Sequence, residues 1–492
     1  MLPLLCAALP AAAQTAPPAW RGYAGNAQHT ARAPAAGQPL DRLHWQTPID
    51  LHPQESDGEL LIHYASPMIT AANTVIVPVK TGTLGGFRVE GHAGADGHKL
   101  WHVKTDYVLP PHDWTPSFPA QLSAQNQLYF AGAGGTVYAL DDPDSAAPTV
   151  TQLAFYGLAT YQADPKPYKR SVMIDTPITS DEAGDIFFGF VVTGATPAGL
   201  QSGIARIGAD GQGSWISAAA AAPGDTSITQ VAMNCAPAIS ADQSTVYIAV
   251  SDGEWGDLVG LDATTLQPKY QAALTDPSSG QPAWINDDSS AAPTIGPDGD
   301  VYYGVLEDPF PDHDDRGWLL HFDATLATIK IPGSFGWDDT VSVVPPSAVP
   351  SYTGKSPYLL MSKYNNYLGL GPHGNGHNRI AIIDPDKSAQ DRFSSAQVMR
   401  TVLSILGPTP FPGSRGAVYE WCINSAVVDV ATGSVVANSE DGHVYRWDLA
   451  TNTLSQAFLL NPPVPEAYTS TLIGPDGTVY AVNNSTLYAI GE

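Results

Sequence analysis

Residues 290–303 have the sequence SAAPTIGPDGDVYY, and residues 470–480 repeat it closely as STLIGPDGTVY. A third copy, APAISADQSTVY, occupies residues 236–247. In each copy a short apolar segment is followed by a turn that contains Asp, and then by a second segment that contains Val-Tyr. Tight turns of this kind between short apolar segments predict β-hairpins. The recurring unit of the chain is therefore a hairpin.

Five weaker copies are spread along the chain, and they begin near Val75, Leu128, Ile186, Leu359 and Val435. The copies are spaced by roughly 44 to 76 residues, a range typical of propeller blades with inserted loops. A third segment follows each hairpin and often ends in Asp, as in Leu258–Asp262 and Val444–Asp448. Most copies add a shorter fourth segment, as at Lys99–His102 and Lys269–Ala273.

The last copy ends at Glu492 without a fourth segment, and Leu43–Thr47 near the N-terminus has the character of that missing strand. Pairing of the first and last strands would remove the exposed edges of the ring. The sequence therefore predicts an all-β fold, a single eight-bladed β-propeller of four-stranded antiparallel blades closed by an N-terminal strand. Residues 14–492 form this one domain.

The charge is strongly acidic, with 48 Asp and Glu against 22 Lys and Arg and a net charge of −26. Such a chain repels phosphate backbones, so we expect no nucleic-acid partner. Cations, neutral or basic small molecules and sugars are the favoured partners. The apolar fraction of 43% is sufficient for a large core.

The first residues resemble an export signal. Leu2–Ala13 is a short apolar run that ends in three alanines before Gln14, as in a cleaved signal peptide of residues 1–13. The run is too short to span a bilayer, and no longer one follows, so we expect no membrane span and a periplasmic or secreted protein. Cys235 and Cys422 then remain, and three blade steps separate them by roughly 15 Å, which is too far for a disulfide.

The repeated GPDGxVY motif, the later segment that ends in Asp and the opening WRGYAGNAQHT of residues 20–30 are similar to those of the quinoprotein-type (PQQ-like) eight-bladed β-propeller repeat family. The resemblance extends over residues 20–492 and implies the propeller fold. That family includes dehydrogenases as well as non-catalytic scaffolds such as the outer-membrane assembly lipoprotein. The resemblance therefore implies no single activity.

The loops between successive blades are predicted to gather around the axis, and six of the eight carry a carboxylate. Carboxylates brought together repel one another unless a cation compensates them, and Ca²⁺ is the first candidate for an all-oxygen shell. The predicted metal ligands are Asp113, Asp175, Asp288, Asp339 and Glu466. The alternative is that an acidic protein places Asp in its turns because Asp favours turns.

The same loops supply groups that suit a polar ligand. The predicted catalytic residues are Lys363, Glu420, Tyr468 and His112. The predicted ligand-binding residues are His63, Trp114, Asn234, Tyr364, Asn365, Trp421, Cys422 and Asn424. Aromatic side chains at a propeller mouth either stack on sugar rings or act as packing wedges between blades.

Three classes of function follow. The first is a secreted or periplasmic protein that binds a small polar ligand, for example a carbohydrate, with a cation at its axial mouth, its catalysis left open. The second is a PQQ- and Ca²⁺-dependent quinoprotein dehydrogenase, for which the resemblance implies adjacent cysteines and a Glu/Asn/Asp set on calcium. This chain has no Cys-Cys pair, no Cys-x-x-Cys-His and few basic residues for the PQQ carboxylates, which weighs against PQQ. The third is a non-catalytic periplasmic assembly scaffold with a protein partner.

Overall fold

The computed structural model describes residues 19–285, 289–465 and 470–492. Within these residues, eight small antiparallel sheets follow one another along the chain and form the blades of an eight-bladed β-propeller. The first strand of each sheet lies nearest the axis. The predicted fold class is confirmed, and we number the blades 1 to 8 from Met68 onward.

Blades 1 to 4 each step outward from a short inner strand. From the inside outward, their strands are Met68–Ile69, Thr74–Gly82, Gly85–Ala93 and Lys99–Thr105 in blade 1; Ala120–Leu122, Leu128–Ala131, Thr136–Asp141 and Thr149–Ala154 in blade 2; Val172–Ile174 with Thr179–Ser180, Ile186–Val192, Gly203–Ile207 and Gly213–Ser217 in blade 3; and Gln230–Val231 with Ala238–Ile239, Thr245–Ser251, Gly256–Asp262 and Pro268–Ala273 in blade 4. The inner strands of blades 3 and 4 are interrupted, and Asp175 and Asn234 lie in the interruptions.

Blades 5 to 8 complete the ring. Their strands are Thr294–Ile295, Val301–Val305 and Trp318–Phe322 in blade 5; Ser342–Val344, Leu359–Tyr364, Arg379–Gln390 and Gln397–Leu406 in blade 6; Val427–Asp429, Ser434–Asn438, His443–Asp448 and Thr453–Leu459 in blade 7; and Leu472–Ile473, Val479–Asn483, Thr486–Gly491 and Arg42–Pro48 in blade 8. Blade 5 departs from the four-strand pattern, since Ile329 and Gly333 form only isolated bridges in the fourth position. Pro332 between them lacks the N–H that a regular ladder needs.

The predicted hairpin turns are present. In blade 5 the Gly299 N–H donates to the Gly296 carbonyl (2.9 Å), and the Gly296 N–H donates to the Asp300 carbonyl (2.8 Å). Gly299 has a φ of 92° and Gly477, in the matching turn of blade 8, a φ of 85°. Glycine adopts this left-handed region without a steric penalty, which is why the motif carries Gly at this position.

Burial follows the order of the strands. The second strand of blade 4, Thr245–Ser251, is buried along its whole length because neighbouring blades cover both of its faces. The outer strand of blade 7, Thr453–Leu459, alternates between exposed and partly buried residues because one of its faces meets solvent. The core therefore lies between blades, in layers that face one another around the ring.

The ring closes as predicted, through blade 8. Arg42–Pro48 pairs antiparallel with Thr486–Gly491, with Leu43 opposite Ile490 and Thr47 opposite Leu487. The first strand of the chain thereby completes the last blade.

Before this closing strand, residues 19–33 cross the axis, and we call them the N-terminal plug. Backbone hydrogen bonds join the plug to the inner strands of six blades, at Ile69, Leu122, Ile239, Ile295, Val343 and Val428. Trp20, Ala24, His29 and Ala31 are completely buried. The plug closes the axial channel at the end of the propeller that carries the hairpin turns between first and second strands.

The remaining elements are short. They are the α-helices Leu158–Ala163, Pro165–Ser171 and Ala218–Ala221, the 3-10 helices Tyr23–Gly25, Ala133–Gly135 and Pro346–Ala348, and a hairpin of Glu55–Ser56 with Glu59–Leu60. In the part of the chain that the structure describes, no helix is long and apolar enough to cross a membrane. The predicted signal peptide, residues 1–13, lies outside the described residues.

Candidate functional site

The loops between blades, together with the loops between second and third strands, lie at the end of the propeller opposite the N-terminal plug. Here a cavity of about 380 Å³, which we call the main cavity, opens among blades 5, 6 and 7. Its walls include Trp284, Leu306, Phe310, Trp337, Tyr367, Leu370 and Trp421. Its polar lining consists of Asp315, Asp338, Lys363, Asn365, Glu420 and Cys422. The sequence prediction included Lys363, Asn365, Glu420, Trp421 and Cys422.

Lys363 lies at the end of the second strand of blade 6, and its ammonium group faces Asp338 from the preceding loop. The distance from Nζ to Asp338 Oδ2 is 3.6 Å, and the two side chains are 2% and 3% exposed. The backbone N–H of Ser290 donates to the other oxygen, Asp338 Oδ1 (2.6 Å). The cavity lining thus holds a buried ion pair that is anchored to the loop before blade 5.

Asp339, a predicted metal ligand, is held by the second strand of blade 6. Its Oδ2 accepts a hydrogen bond from the Ser362 hydroxyl (2.7 Å), and its Oδ1 lies 3.4 Å from the backbone N–H of Lys363. Burial raises the pKa of Asp339 to about 7, although the Lys363 charge opposes the rise. Both oxygens therefore serve to hold the strand end that carries Lys363.

Glu420 lines the main cavity from the loop of residues 407–426, which precedes the inner strand of blade 7. Burial raises its pKa well above the ordinary value, the charges of Glu440 and Glu59 raise it further, and Lys363 lowers it. Burial therefore favours the protonated form of Glu420, which can donate a hydrogen bond as well as accept one. A buried acid with a raised pKa next to a buried ion pair is a common basis of acid–base chemistry.

Asn365 and Trp421 join the loops of blades 6 and 7. The Asn365 side-chain amide donates to the Trp421 backbone carbonyl (3.1 Å), and the Trp421 backbone N–H donates to Asn365 Oδ1 (3.3 Å). Trp421 is fully buried, and its indole N–H has no hydrogen-bond partner among the described residues. The reciprocal pair fixes the wall on which Trp421 and Cys422 lie.

Two further predicted residues lie beside the main cavity. Tyr364 stacks with Arg316, whose Cζ is 4.7 Å from the ring centroid, and lines a neighbouring cavity. Asn424 lies closer to the axis and donates to the carbonyl (2.9 Å) and hydroxyl (2.8 Å) of Ser290. The Tyr23 hydroxyl of the N-terminal plug also donates to the Ser290 carbonyl (2.6 Å). Ser290 thus joins the N-terminal plug to the loop before blade 7.

His63, Trp114 and Asn234 form a separate cluster on blades 1, 2 and 4. Asn234 Nδ2 lies 3.1 Å from His63 Nδ1, and the His63 ring stacks on Trp114 at 5.8 Å between centroids. Asn234 Oδ1 accepts the backbone N–H of Ser117 (3.1 Å). These predicted ligand-binding residues contact one another and do not line the main cavity.

The remaining predicted acids are dispersed. Asp175 is 3% exposed and lines a cavity of about 510 Å³ between blades 3 and 4, and its burial raises its pKa to about 8. Asp113 is exposed, and His112 Nδ1 lies 2.6 Å from the Pro110 carbonyl. Among the described residues, no group of three His, Cys, Asp or Glu side chains is arranged to hold a metal ion. Asp288, Glu466 and Tyr468 lie outside the described residues, so the calcium site stays a prediction.

Asp338, Asp315 and Tyr367 also line the main cavity and were not among the predicted site residues. Asp338 adjoins Asp339, and the sequence does not indicate that Asp338 is the carboxylate that pairs with Lys363. Asp315 precedes Arg316 in a loop that has only a weak similarity to calcium loops. The two adjacent acids, Asp338 and Asp339, in the loop before blade 6 were the sequence feature from which Asp338 could have been predicted.

Comparisons with known proteins identify the fold. No protein-family model and no curated protein matches the sequence. A europium-containing methanol dehydrogenase matches with a TM-score of 0.58 at 9% identity, over 94% of this chain and 89% of that chain. Quinohemoprotein alcohol dehydrogenase from Comamonas testosteroni matches with a TM-score of 0.57 at 12% identity, over 98% and 82%.

A protein of another kind matches as well. Sqt1 from Saccharomyces cerevisiae gives a TM-score of 0.50 at 10% identity, over 93% of this chain and 99% of that chain. At such identities the likeness shows the propeller fold alone, because one fold hosts many functions.

Proposed function

We propose that the main cavity binds a small polar molecule, and that a neutral carbohydrate is the class of ligand it fits best. The observation that carries this proposal is the arrangement of partly exposed Trp284 and Trp337 next to Asp338, Lys363 and Glu420. Indole rings pack against the C–H faces of sugars, and carboxyl and ammonium groups bind sugar hydroxyls. A volume of about 380 Å³ lies in the range of small-ligand pockets.

The charges of the lining favour a neutral ligand. Lys363 and Asp338 compensate each other, while burial raises the pKa of Glu420 and raises that of Asp315 to about 7, which favours the uncharged forms of both acids. The site therefore offers donors and acceptors with little net charge. Hydroxyl groups, which both donate and accept, satisfy such a set more fully than an ion does.

The same lining fits PQQ poorly. PQQ carries three carboxylates, whereas Lys363 is the one Lys or Arg among the described residues that line the main cavity, and Asp338 already faces it. Asp315, whose pKa burial raises to about 7, supplies no positive charge either. Carboxylates brought here would be repelled rather than compensated. We therefore derive no quinoprotein chemistry from this cavity.

The proposal keeps the location predicted from the sequence. Cleavage before Gln14 would release the protein to the periplasm or the medium. N-terminal sequencing of protein isolated from its own host tests this part, with Gln14 as the expected first residue. Catalysis is left open, and a protein partner remains the alternative use of the loop face.

Titration of tryptophan fluorescence with neutral mono- and oligosaccharides tests the ligand class. We expect at least one sugar to change the emission, and Trp337→Ala to weaken that binding about tenfold or more. Trp215→Phe, on the outer strand of blade 3, is the matched aromatic control and should leave affinity unchanged. Absence of binding across the panel, or equal affinity of the Trp337→Ala variant, would refute the proposal.

A further inference from the structure

A second cavity, of about 480 Å³, lies against the third and fourth strands of blade 6, and we call it the arginine cavity. Four guanidinium groups line it, those of Arg316, Arg379, Arg392 and Arg400. The whole chain has only 22 Lys and Arg against 48 Asp and Glu. Four arginines around one cavity therefore form a local positive field in a strongly negative protein.

Little of this positive charge is compensated. Asp391 is the one carboxylate among the described lining residues, and it is engaged by the Ser334 hydroxyl (2.6 Å to Oδ1) and by His313 Nε2 (3.0 Å to Oδ2). Arg400 faces Asp384 at 3.6 Å. Among the described residues, Arg379 and Arg392 form no ion pair with a carboxylate. Two guanidinium groups are thus available to an anionic ligand.

Arg316 gives the cavity a rigid inner wall. It is completely buried, and it donates to the backbone carbonyls of Ser334 and Asn365. The rings of Tyr364 and Phe393 lie 4.7 and 4.3 Å from its Cζ. These contacts engage three of its five N–H groups and hold the guanidinium plane in place.

Asn366 adds a polar group that needs a donor. Its Nδ2 donates to the His373 carbonyl (3.1 Å) and to Asn375 Oδ1 (2.7 Å), which fixes the orientation of the amide. Its Oδ1 is buried without a hydrogen-bond partner among the described residues, and the side chain lines the cavity. A buried acceptor without a donor lowers the stability of the fold because it has lost its hydrogen bonds to water. A hydroxyl group of a ligand would supply the missing donor.

We propose that the arginine cavity binds an acidic sugar, a hydroxylated carboxylate of mono- or disaccharide size. Arg379 lies opposite Tyr364 in the strand ladder, next to Asn366, and pairs with the carboxylate. A sugar hydroxyl donates to Asn366 Oδ1. Arg392, at the exposed rim, strengthens the attraction for the anion.

This site is independent of the main cavity. Lys363 and Asn365 line the main cavity, whereas Tyr364 and Asn366 line the arginine cavity. Lys363 and Tyr364 are successive residues of one strand and point to opposite sides of it, so this segment separates the two sites. Failure of either proposal leaves the other standing.

Calorimetric titration of the full chain with D-glucuronate, D-glucose and inorganic sulfate tests the inference. We expect glucuronate to bind and Arg379→Gln to weaken its binding about tenfold or more, whereas any binding of glucose, a neutral sugar, should be the same in the Arg379→Gln variant as in the parent. Arg392→Gln is a second variant. Because Arg392 is exposed at the rim, this substitution should not affect folding, and it should also weaken glucuronate binding. Arg170→Gln, on an exposed helix, and Trp337→Ala, in the main cavity, are controls that should bind normally.

The outcomes separate the possibilities. Absence of glucuronate binding, or unchanged affinity in both arginine variants, overturns the site. Sulfate binding as tight as that of glucuronate overturns the assignment to a sugar, because hydroxyl recognition then contributes nothing. Loss of binding in the Trp337→Ala variant alone would place the anion in the main cavity and overturn the inference.

Discussion

Lys363 Nζ lies 3.6 Å from Asp338 Oδ2, and the protein excludes both side chains almost completely from solvent. The two residues come from different parts of blade 6, a strand end and the loop before the blade. Their mutual attraction compensates for the loss of water around each charge only while both are present. The pair therefore places two compensating charges in the lining of the main cavity.

Replacing Lys363 by Met should leave the Asp338 charge buried without its ammonium partner. We expect a loss of about 3–5 kcal/mol in the free energy of unfolding, measured by urea denaturation. The double variant Lys363→Met with Asp338→Asn should recover most of this loss. The exposed pair of Lys169 with Asp106 is the control, and Lys169→Met should cost less than about 1 kcal/mol. Equal stability of the Lys363→Met variant and the parent would show that the Lys363 charge does not offset the burial of the Asp338 charge.

Asp175 should make stability depend on pH. Its pKa is raised to about 8 by burial, so the folded state holds a proton that the unfolded state releases above about pH 4. The contribution of Asp175 to the free energy of unfolding is complete below its pKa in the unfolded chain. This contribution is lost as pH rises through its pKa in the folded protein. Melting temperature should therefore fall between pH 5 and about pH 8 more steeply in the parent than in Asp175→Asn. The exposed Asp41→Asn is the control and should follow the parent curve.

The fold was predictable because its signals are local and repeated. The turn of residues 296–299 requires a residue with positive φ, and Gly299 supplies it in the quoted motif. The pairing of Leu43–Thr47 with the last strand followed from a missing strand at the C-terminus. Each inference needed only the period of the pattern and the rule that sheets avoid open edges.

The site was less predictable because it depends on which loops meet in space. The predicted ring of acids assumed an open axial channel, whereas the N-terminal plug and the Tyr23–Ser290 hydrogen bond fill the axis. Among the described acids, Asp175 and Glu420 consequently line different cavities. Arg316 follows a run of acidic residues in the sequence, and it is completely buried between aromatic rings. No period in the sequence carries such information.

The N-terminal plug should contribute to the stability of the whole ring. Trp20 is completely buried between the plug and blade 1, so Trp20→Ala should cost about 3–5 kcal/mol through lost burial and the cavity that remains. Trp255, which is 39% exposed, is the control, and Trp255→Ala should cost about 1 kcal/mol or less. Both are measured by urea denaturation. A small effect at Trp20 would mean that the plug detaches without disturbing the blades.

The two cysteines of the propeller should differ in reactivity. Within the described residues Cys235 and Cys422 form no disulfide, in agreement with the separation predicted from the ring. Burial raises the pKa of the Cys235 thiol to about 12, so little thiolate is present for reaction. Cys422 lines the main cavity and is the thiol that a reagent entering the cavity reaches.

Titration with a thiol reagent therefore should label one cysteine slowly in the native protein. Denaturation should then expose every thiol, two per chain when residues before Gln14 are absent and three when Cys6 is retained. Cys422→Ser should abolish the native labelling, while Cys235→Ser should leave it unchanged. A neutral sugar that occupies the main cavity should slow the labelling, since it blocks the approach to Cys422. Faster labelling of Cys235 than of Cys422 would contradict the assignment of the cavity wall and, with it, the position of the proposed binding site.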